Sequence, residues 1–154
     1  MEYLTVKWLH VLSSTVLFGT GLGSAFYLFF TNRTADPRAI ALVARRVVIA
    51  DWVFTTPTAI LQPATGFYLL HLGGLPLSAT WIWSSIGLFA LAGACWLPVV
   101  WLQIRMARLA GEAAAADGEL PASFWRYHAI WTVLGIPAFV AFIAIFWLMV
   151  VKPS

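Results

Sequence analysis

Charge is what this sequence has least of. Acidic and basic residues fill 10% of its 154 positions, against roughly 25% in a soluble domain of ordinary composition. With 62% hydrophobic residues, such a chain cannot cover its apolar side chains in water, so the lipid bilayer is its expected solvent. Cysteine is nearly missing. A lone Cys95 excludes an intramolecular disulfide and any multi-cysteine metal site, and reads as a small packing residue. Lysine is confined to Lys7 and Lys152. The sequence has no phosphate-binding glycine loop, no paired catalytic carboxylates, no Ser/His/Asp set and no histidine-rich tract, which argues against hydrolytic and nucleotide chemistry. The net charge of +3 reflects arginines gathered in loops and does not point to nucleic acid.

What fills the chain instead is four apolar segments, roughly residues 3–30, 40–70, 81–101 and 124–151. A helix needs about 20 residues to cross a hydrocarbon core, and each segment supplies that. The expected fold is an all-α, integral-membrane four-helix bundle in a single domain, with helices at about 3–30, 38–71, 81–112 and 121–151. The first apolar stretch is too long for the 7–15-residue core of a signal peptide and reads as a retained transmembrane helix. Arg33, Arg38, Arg45 and Arg46 sit in the first connection and the start of the second helix, and Arg105, Arg108 and Arg126 flank the third connection. Residues 71–80 carry no lysine or arginine. The positive-inside rule then puts the first and third connections in the cytoplasm and both termini in the periplasm. The expected location is the bacterial inner membrane.

Few polar groups lie inside these segments, so each is a candidate. His10, in Lys7-Trp8-Leu9-His10, is either a structural hydrogen-bond donor or an iron ligand. His71 ends the second segment at a similar counted depth. Two histidines in one layer can hold a b-type haem within a helical bundle, and His71 reads equally as a solvated loop residue. Gly19 and Gly23 share a helix face. They allow close helix approach, including a homodimer contact, or leave room beside a macrocycle. His128 lies too far away to share that iron, and Met149 is a weaker alternative ligand. Asp51 is the one carboxylate well inside a segment. Burying it alone costs several kcal/mol, so an ion pair is expected, with Arg105 the leading partner. Pro57 and Pro63 each remove an N–H from the second helix and predict a kink there. Trp8, Trp81, Trp83 and Trp125 are expected belt anchors. Trp52, Trp96, Trp101 and Trp131 either pack or line a flat pocket for porphyrin or quinone.

Several strings carry a family resemblance: Lys7-Trp-Leu-His10, Gly19-Thr-Gly-Leu-Gly23, Asp51-Trp-Val-Phe-Thr-Thr-Pro57, Leu61-Gln-Pro-Ala-Thr-Gly66 and Trp96-Leu-Pro-Val-Val-Trp-Leu-Gln-Ile-Arg105. Together with Gly135-Ile-Pro-Ala-Phe139 they resemble the bacterial integral-membrane family known as domain of unknown function 2269, over essentially the whole chain. That resemblance implies four helices and little about activity. The opening Lys-x-Leu-His is more distantly similar to the copper-resistance D family and to the four-helix, haem-binding membrane protoporphyrinogen oxidase. The latter resemblance implies a functional role for His10 only. The oxidase's middle-helix lysine has no counterpart here, because the only lysines are Lys7 and Lys152. The resulting expectation is a b-type haem protein, with His10 and His71 as axial ligands and Gly19 and Gly23 beside the ring. It would pass electrons between a quinone or porphyrin and a redox partner. The alternatives are a non-enzymatic assembly subunit and, third, a copper-related transporter.

Overall fold

Asp36 and Pro37 start the second helical run as their types predict. The Asp36 side chain accepts the Arg38 backbone N–H at 2.9 Å, and Pro37 occupies the first helical position, where no N–H is needed. The computed structural model describes residues 1–76 and 78–153. They form α1 (Glu2–Asn32), α2 (Pro37–Ala50), a π-helical turn (Asp51–Thr55), α3 (Thr56–Gly73), α4 (Thr80–Ala115) and α5 (Ala122–Val151), with no strand among the described residues. Helices α1, α4 and α5 are each long and apolar enough to cross a membrane. The fourth helical run, α2 to α3, lies alongside α1. A π turn interrupts it, close to the prolines where a kink was expected.

The prolines explain the interruption. Pro57 has no N–H to close an ordinary turn. The Thr56 N–H instead reaches back five residues to the Asp51 carbonyl, and the Thr56 hydroxyl reinforces that carbonyl at 2.9 Å. The Thr58 hydroxyl donates to the Phe54 carbonyl at 2.6 Å. These hydroxyls add hydrogen bonds to backbone carbonyls on either side of the break. Past this point α3 runs to Gly74, whose left-handed backbone (φ +57°) ends the helix at low cost because glycine has no Cβ.

The helices pack as an up-down-up-down bundle. Antiparallel pairing of α1 with α3 follows from Glu2 against Tyr68, His10 against Thr65 and Ser13 against Gln62. Helix α4 packs along α5 and α2, and α1 also meets α5. Phe18 stacks on Phe139 at 5.6 Å and meets Phe146 edge-on at 5.3 Å. The densest core lies at the arginine-rich end, where Leu28, Ile40, Met106 and Phe124 are fully buried. Here α2 seats against α4. Beyond the π turn the second run stays with α1, while α4 stays with α5. Large apolar side chains such as Trp8, Val133 and Trp147 face outward, which suits a lipid solvent.

Candidate functional site: a cavity between the helices

The parting of the two helix pairs leaves a cavity of about 470 Å³ in the middle of the bundle. Its walls are almost wholly apolar. Leu17, Phe18, Ala25 and Phe29 come from α1, Ala59 from α3, Phe89 and Ala92 from α4, and Phe142 from α5. Gly21, Gly93 and Gly135 line it from three helices. At each of them an added Cβ would meet nothing within 4 Å, so these glycines create part of the space. Leu22, Phe26 and Phe30 of α1, and Ile136 and Phe139 of α5, line the cavity while also being exposed. The cavity therefore opens sideways between α1 and α5, toward the lipid-facing surface.

Against these walls four polar atoms stand without a hydrogen-bond partner: Asp51 Oδ2, Gln103 Oε1, Trp96 Nε1 and Trp131 Nε1. All four residues line the cavity. Asp51 and Gln103 are each 4% exposed and Trp131 5%. Leaving a buried polar group unmet costs about 1–3 kcal/mol, and buried polar groups are nearly always satisfied. Each of these atoms is covered by its neighbours, and the residues' other atoms line the open space. The π turn contributes to this arrangement. By resetting the helix register it turns both Asp51 and Thr55 inward, and the Thr55 hydroxyl donates to Asp51 Oδ1 at 2.9 Å. That bond fixes the carboxyl and leaves Oδ2 buried without a partner.

A family model described as "Predicted integral membrane protein (DUF2269)" matches residues 4–153. The chain belongs to that family. No curated protein and no solved structure matches it.

Several expectations for this DUF2269 protein need correction. The Asp51–Arg105 ion pair does not form. Arg105 is exposed, and its guanidinium lies 5.5 Å from the Trp101 ring centroid. Residues two apart on a helix differ by about 200°. Gln103 takes the inward position, which turns Arg105 outward. His10 packs against α3, while His71 is exposed near the end of that helix. Gly66 is the α3 residue facing His10, its added Cβ falling 3.4 Å from His10 Cε1. His71 stands five residues further on, about 7 Å along the axis and about 140° around it, and is exposed. Gly19 and Gly23 are not among the cavity-lining residues, and an added Cβ at either would meet nothing within 4 Å. Among the described residues, no three of His, Cys, Asp and Glu gather as a metal site.

His10 is instead part of the α1–α3 contact. Its Nδ1 lies 2.8 Å from Thr65 Oγ1, and that hydroxyl lies 2.6 Å from the Leu61 carbonyl. A hydroxyl has one proton to give. With that proton on Leu61, Thr65 accepts the Nδ1–H of His10 and leaves Nε2 with a free lone pair. Gln62, itself buried, donates to the His10 carbonyl and to Ser13 Oγ, both at 2.8 Å. His128 Nδ1 lies 3.0 Å from the Asn32 side-chain amide at the arginine-rich end, and its ring stacks on Trp131 at 5.9 Å. Of the four tryptophans read as packing or pocket residues, Trp96 and Trp131 line the cavity, while Trp52 and Trp101 face outward. Gln103 was not foreseen as a site residue. The signal was available, since Trp96 and Gln103 are seven apart and share a helix face.

Proposed function

We propose that this protein is a multi-pass protein of the bacterial inner membrane, with periplasmic termini, that binds a lipid-soluble ring of the quinone class and serves membrane electron transfer. One observation carries the ligand assignment: a single apolar cavity, open toward lipid, whose lining residues include Asp51, Gln103, Trp96 and Trp131. Quinones combine a flat ring, oxygens that hydrogen-bond, and a tail soluble in the bilayer. The volume of about 470 Å³ falls in the roughly 300–1,000 Å³ range of small-molecule sites. The sideways opening between α1 and α5 gives the tail a route to lipid.

Tryptophan emission supplies the test. Purified protein in detergent is titrated with a short-tailed benzoquinone, and saturable quenching is expected. Gly93→Leu fills the cavity from a position with free space, and replacing a helical glycine removes a helix penalty of about 1 kcal/mol. Its circular dichroism should match the parent, while its apparent affinity falls about tenfold or more, the loss of roughly 1.4 kcal/mol of binding. Linear, unsaturated quenching that is equal in both proteins would sink the assignment.

A b-type haem is the second reading, and one observation favours it. With Nδ1–H bound to Thr65, His10 has the protonation that an axial ligand requires at Nε2. His10 would then be the sole histidine ligand. The visible spectrum of the purified protein, oxidised and then dithionite-reduced, is expected to show a Soret band with sharp reduced α and β bands. A featureless spectrum after expression with ample haem removes this reading and leaves the quinone site standing.

A further inference from the structure

The arginine-rich end holds two kinds of arginine. Arg38 and Arg108 are each paired with a carboxylate, Asp117 and Glu112. Arg105 of α4 and Arg126 of α5 are exposed and form no ion pair among the described residues. We propose that Arg105 and Arg126, flanking the aromatic pair Trp101 and Tyr127, hold the phosphate of an anionic phospholipid from the leaflet on that side of the membrane. The site lies on the outer face of α4 and α5 and is independent of the cavity and its ligand.

A ring contact fixes the geometry. Trp101 and Tyr127 meet edge to face with their centroids 5.7 Å apart, which sets the level at which the antiparallel α4 and α5 run side by side. Arg105 lies one turn, about 6 Å, further along α4, and its guanidinium stands 5.5 Å from the Trp101 ring centroid. Arg126 precedes Tyr127 on α5, which runs the other way. Both arginines therefore lie on the aqueous side of the aromatic pair. Toward mid-bilayer Leu97 shares the face of Trp101 and Ile130 that of Tyr127, and they are 66% and 42% exposed. The resulting order is cation, aromatic belt, apolar surface. It parallels the order of phosphate, interface and acyl chain in a lipid leaflet.

Charge complementarity names the partner. A guanidinium does not deprotonate, so each arginine needs a counter-charge or water. The chain has six acidic residues. Glu112 and Asp117 are taken by other arginines, and Asp51 is buried and bonded by Thr55. Glu2 meets Tyr68 at the opposite end, Asp36 caps α2, and Glu119 forms no ion pair with either arginine. The counter-charge for Arg105 and Arg126 thus comes from outside the chain. At this depth the available anion is a lipid phosphate, whose oxygens match the guanidinium fork in pairs. Basic clusters beside transmembrane helices recognise anionic headgroups on the same terms. A zwitterionic headgroup brings its own cation to the arginines and is disfavoured.

The experiment titrates the full-length protein in neutral detergent with phosphatidylglycerol, with phosphatidylcholine of the same acyl chains, and with water-soluble glycerol phosphate, counting bound molecules by native mass spectrometry. Phosphatidylglycerol is expected to bind about tenfold or more tightly than phosphatidylcholine, and glycerol phosphate is expected not to displace it. In Arg105→Gln with Arg126→Gln, one bound phosphatidylglycerol should weaken about tenfold or more, at about fivefold for each arginine removed. The charge-matched control is Arg38→Gln with Arg108→Gln, which removes two arginines that already have partners and should leave that affinity within about twofold. Should the first double variant fail to fold, Arg126→Gln alone and the three probes on the unmodified protein still decide. Equal binding of the two lipids overturns the proposal. Equal weakening in both double variants overturns it in favour of diffuse attraction to net charge. Displacement of the lipid by glycerol phosphate overturns it in favour of a site for a free phosphate.

Discussion

At His10 the position of one proton separates two roles. The Thr65 hydroxyl spends its hydrogen on the Leu61 carbonyl at 2.6 Å, so the ring nitrogen at 2.8 Å must donate. This makes Thr65 the group that fixes both the tautomer and the orientation of the imidazole. Gly66 completes the fit by letting the ring lie against α3, where an added Cβ would already stand 3.4 Å from Cε1. Thr65→Val keeps the shape of the side chain and deletes the acceptor. A hydrogen bond between helices in a membrane contributes about 0.6 kcal/mol on average and up to about 2. The variant should lose about 1 kcal/mol in a reversible detergent-unfolding titration, and Thr65→Ser should recover most of that. A Val variant as stable as the parent would show that the contact does not hold α1 to α3. Asp51 makes the complementary point. Its depth marked it as unusual in the sequence, but its partner is Thr55, whose hydroxyl donates to Oδ1.

Among elements, what the sequence revealed was depth, and what it concealed was direction. The apolar lengths and the Asp36-Pro37 start placed the helices, because span length and caps are local properties. Direction around the helix axis was a different matter. Helices α1, α4 and α5 are apolar on nearly every face, since lipid and bundle interior ask for the same side chains, and so no polar stripe marks the inside. Arg105 was therefore paired with Asp51 by depth alone, although Gln103, two residues earlier, faces inward. His71 was likewise matched to His10 by counting from the membrane borders, and the α3 face that carries Thr65 and Gly66 turned it away. The second helix shows the limit of local rules. Pro57 and Pro63 both predicted a break. Pro63 sits inside a continuing α3, whereas the break appears as a π turn ahead of Pro57. Local rules do not say which proline yields, since threonine hydroxyls bond nearby carbonyls beside both, Thr56 and Thr58 by Pro57 and Thr65 by Pro63. Such single-turn π insertions recur at functional sites because they re-aim side chains, and this one aims Asp51 at the cavity.

For the molecule as a whole, every arginine lies toward the end where α2 and α4 close the bundle. The connection between α1 and α2 is tied there to the one between α4 and α5 by the Arg38–Asp117 ion pair. Both partners are well exposed, so the pair adds little stability. The asymmetry of charge has a larger consequence. Short loops rich in arginine stay on the cytoplasmic side during insertion, and the up-down-up-down order then fixes every other segment. The closed, charged end should face the cytoplasm, and the loop after α3 the periplasm. Single cysteines test this once Cys95, which is buried, is replaced by alanine. Ser78→Cys lies in the loop before α4 and Gly118→Cys in the loop before α5, both at exposed positions. In intact spheroplasts a membrane-impermeant maleimide should label the first and spare the second, and detergent should open both to labelling. The opposite pattern would invert the protein and carry Asp51, which lies nearer the arginine-rich end of its helical run, to the other half of the bilayer. The side from which a bound ring could exchange protons with water would reverse with it.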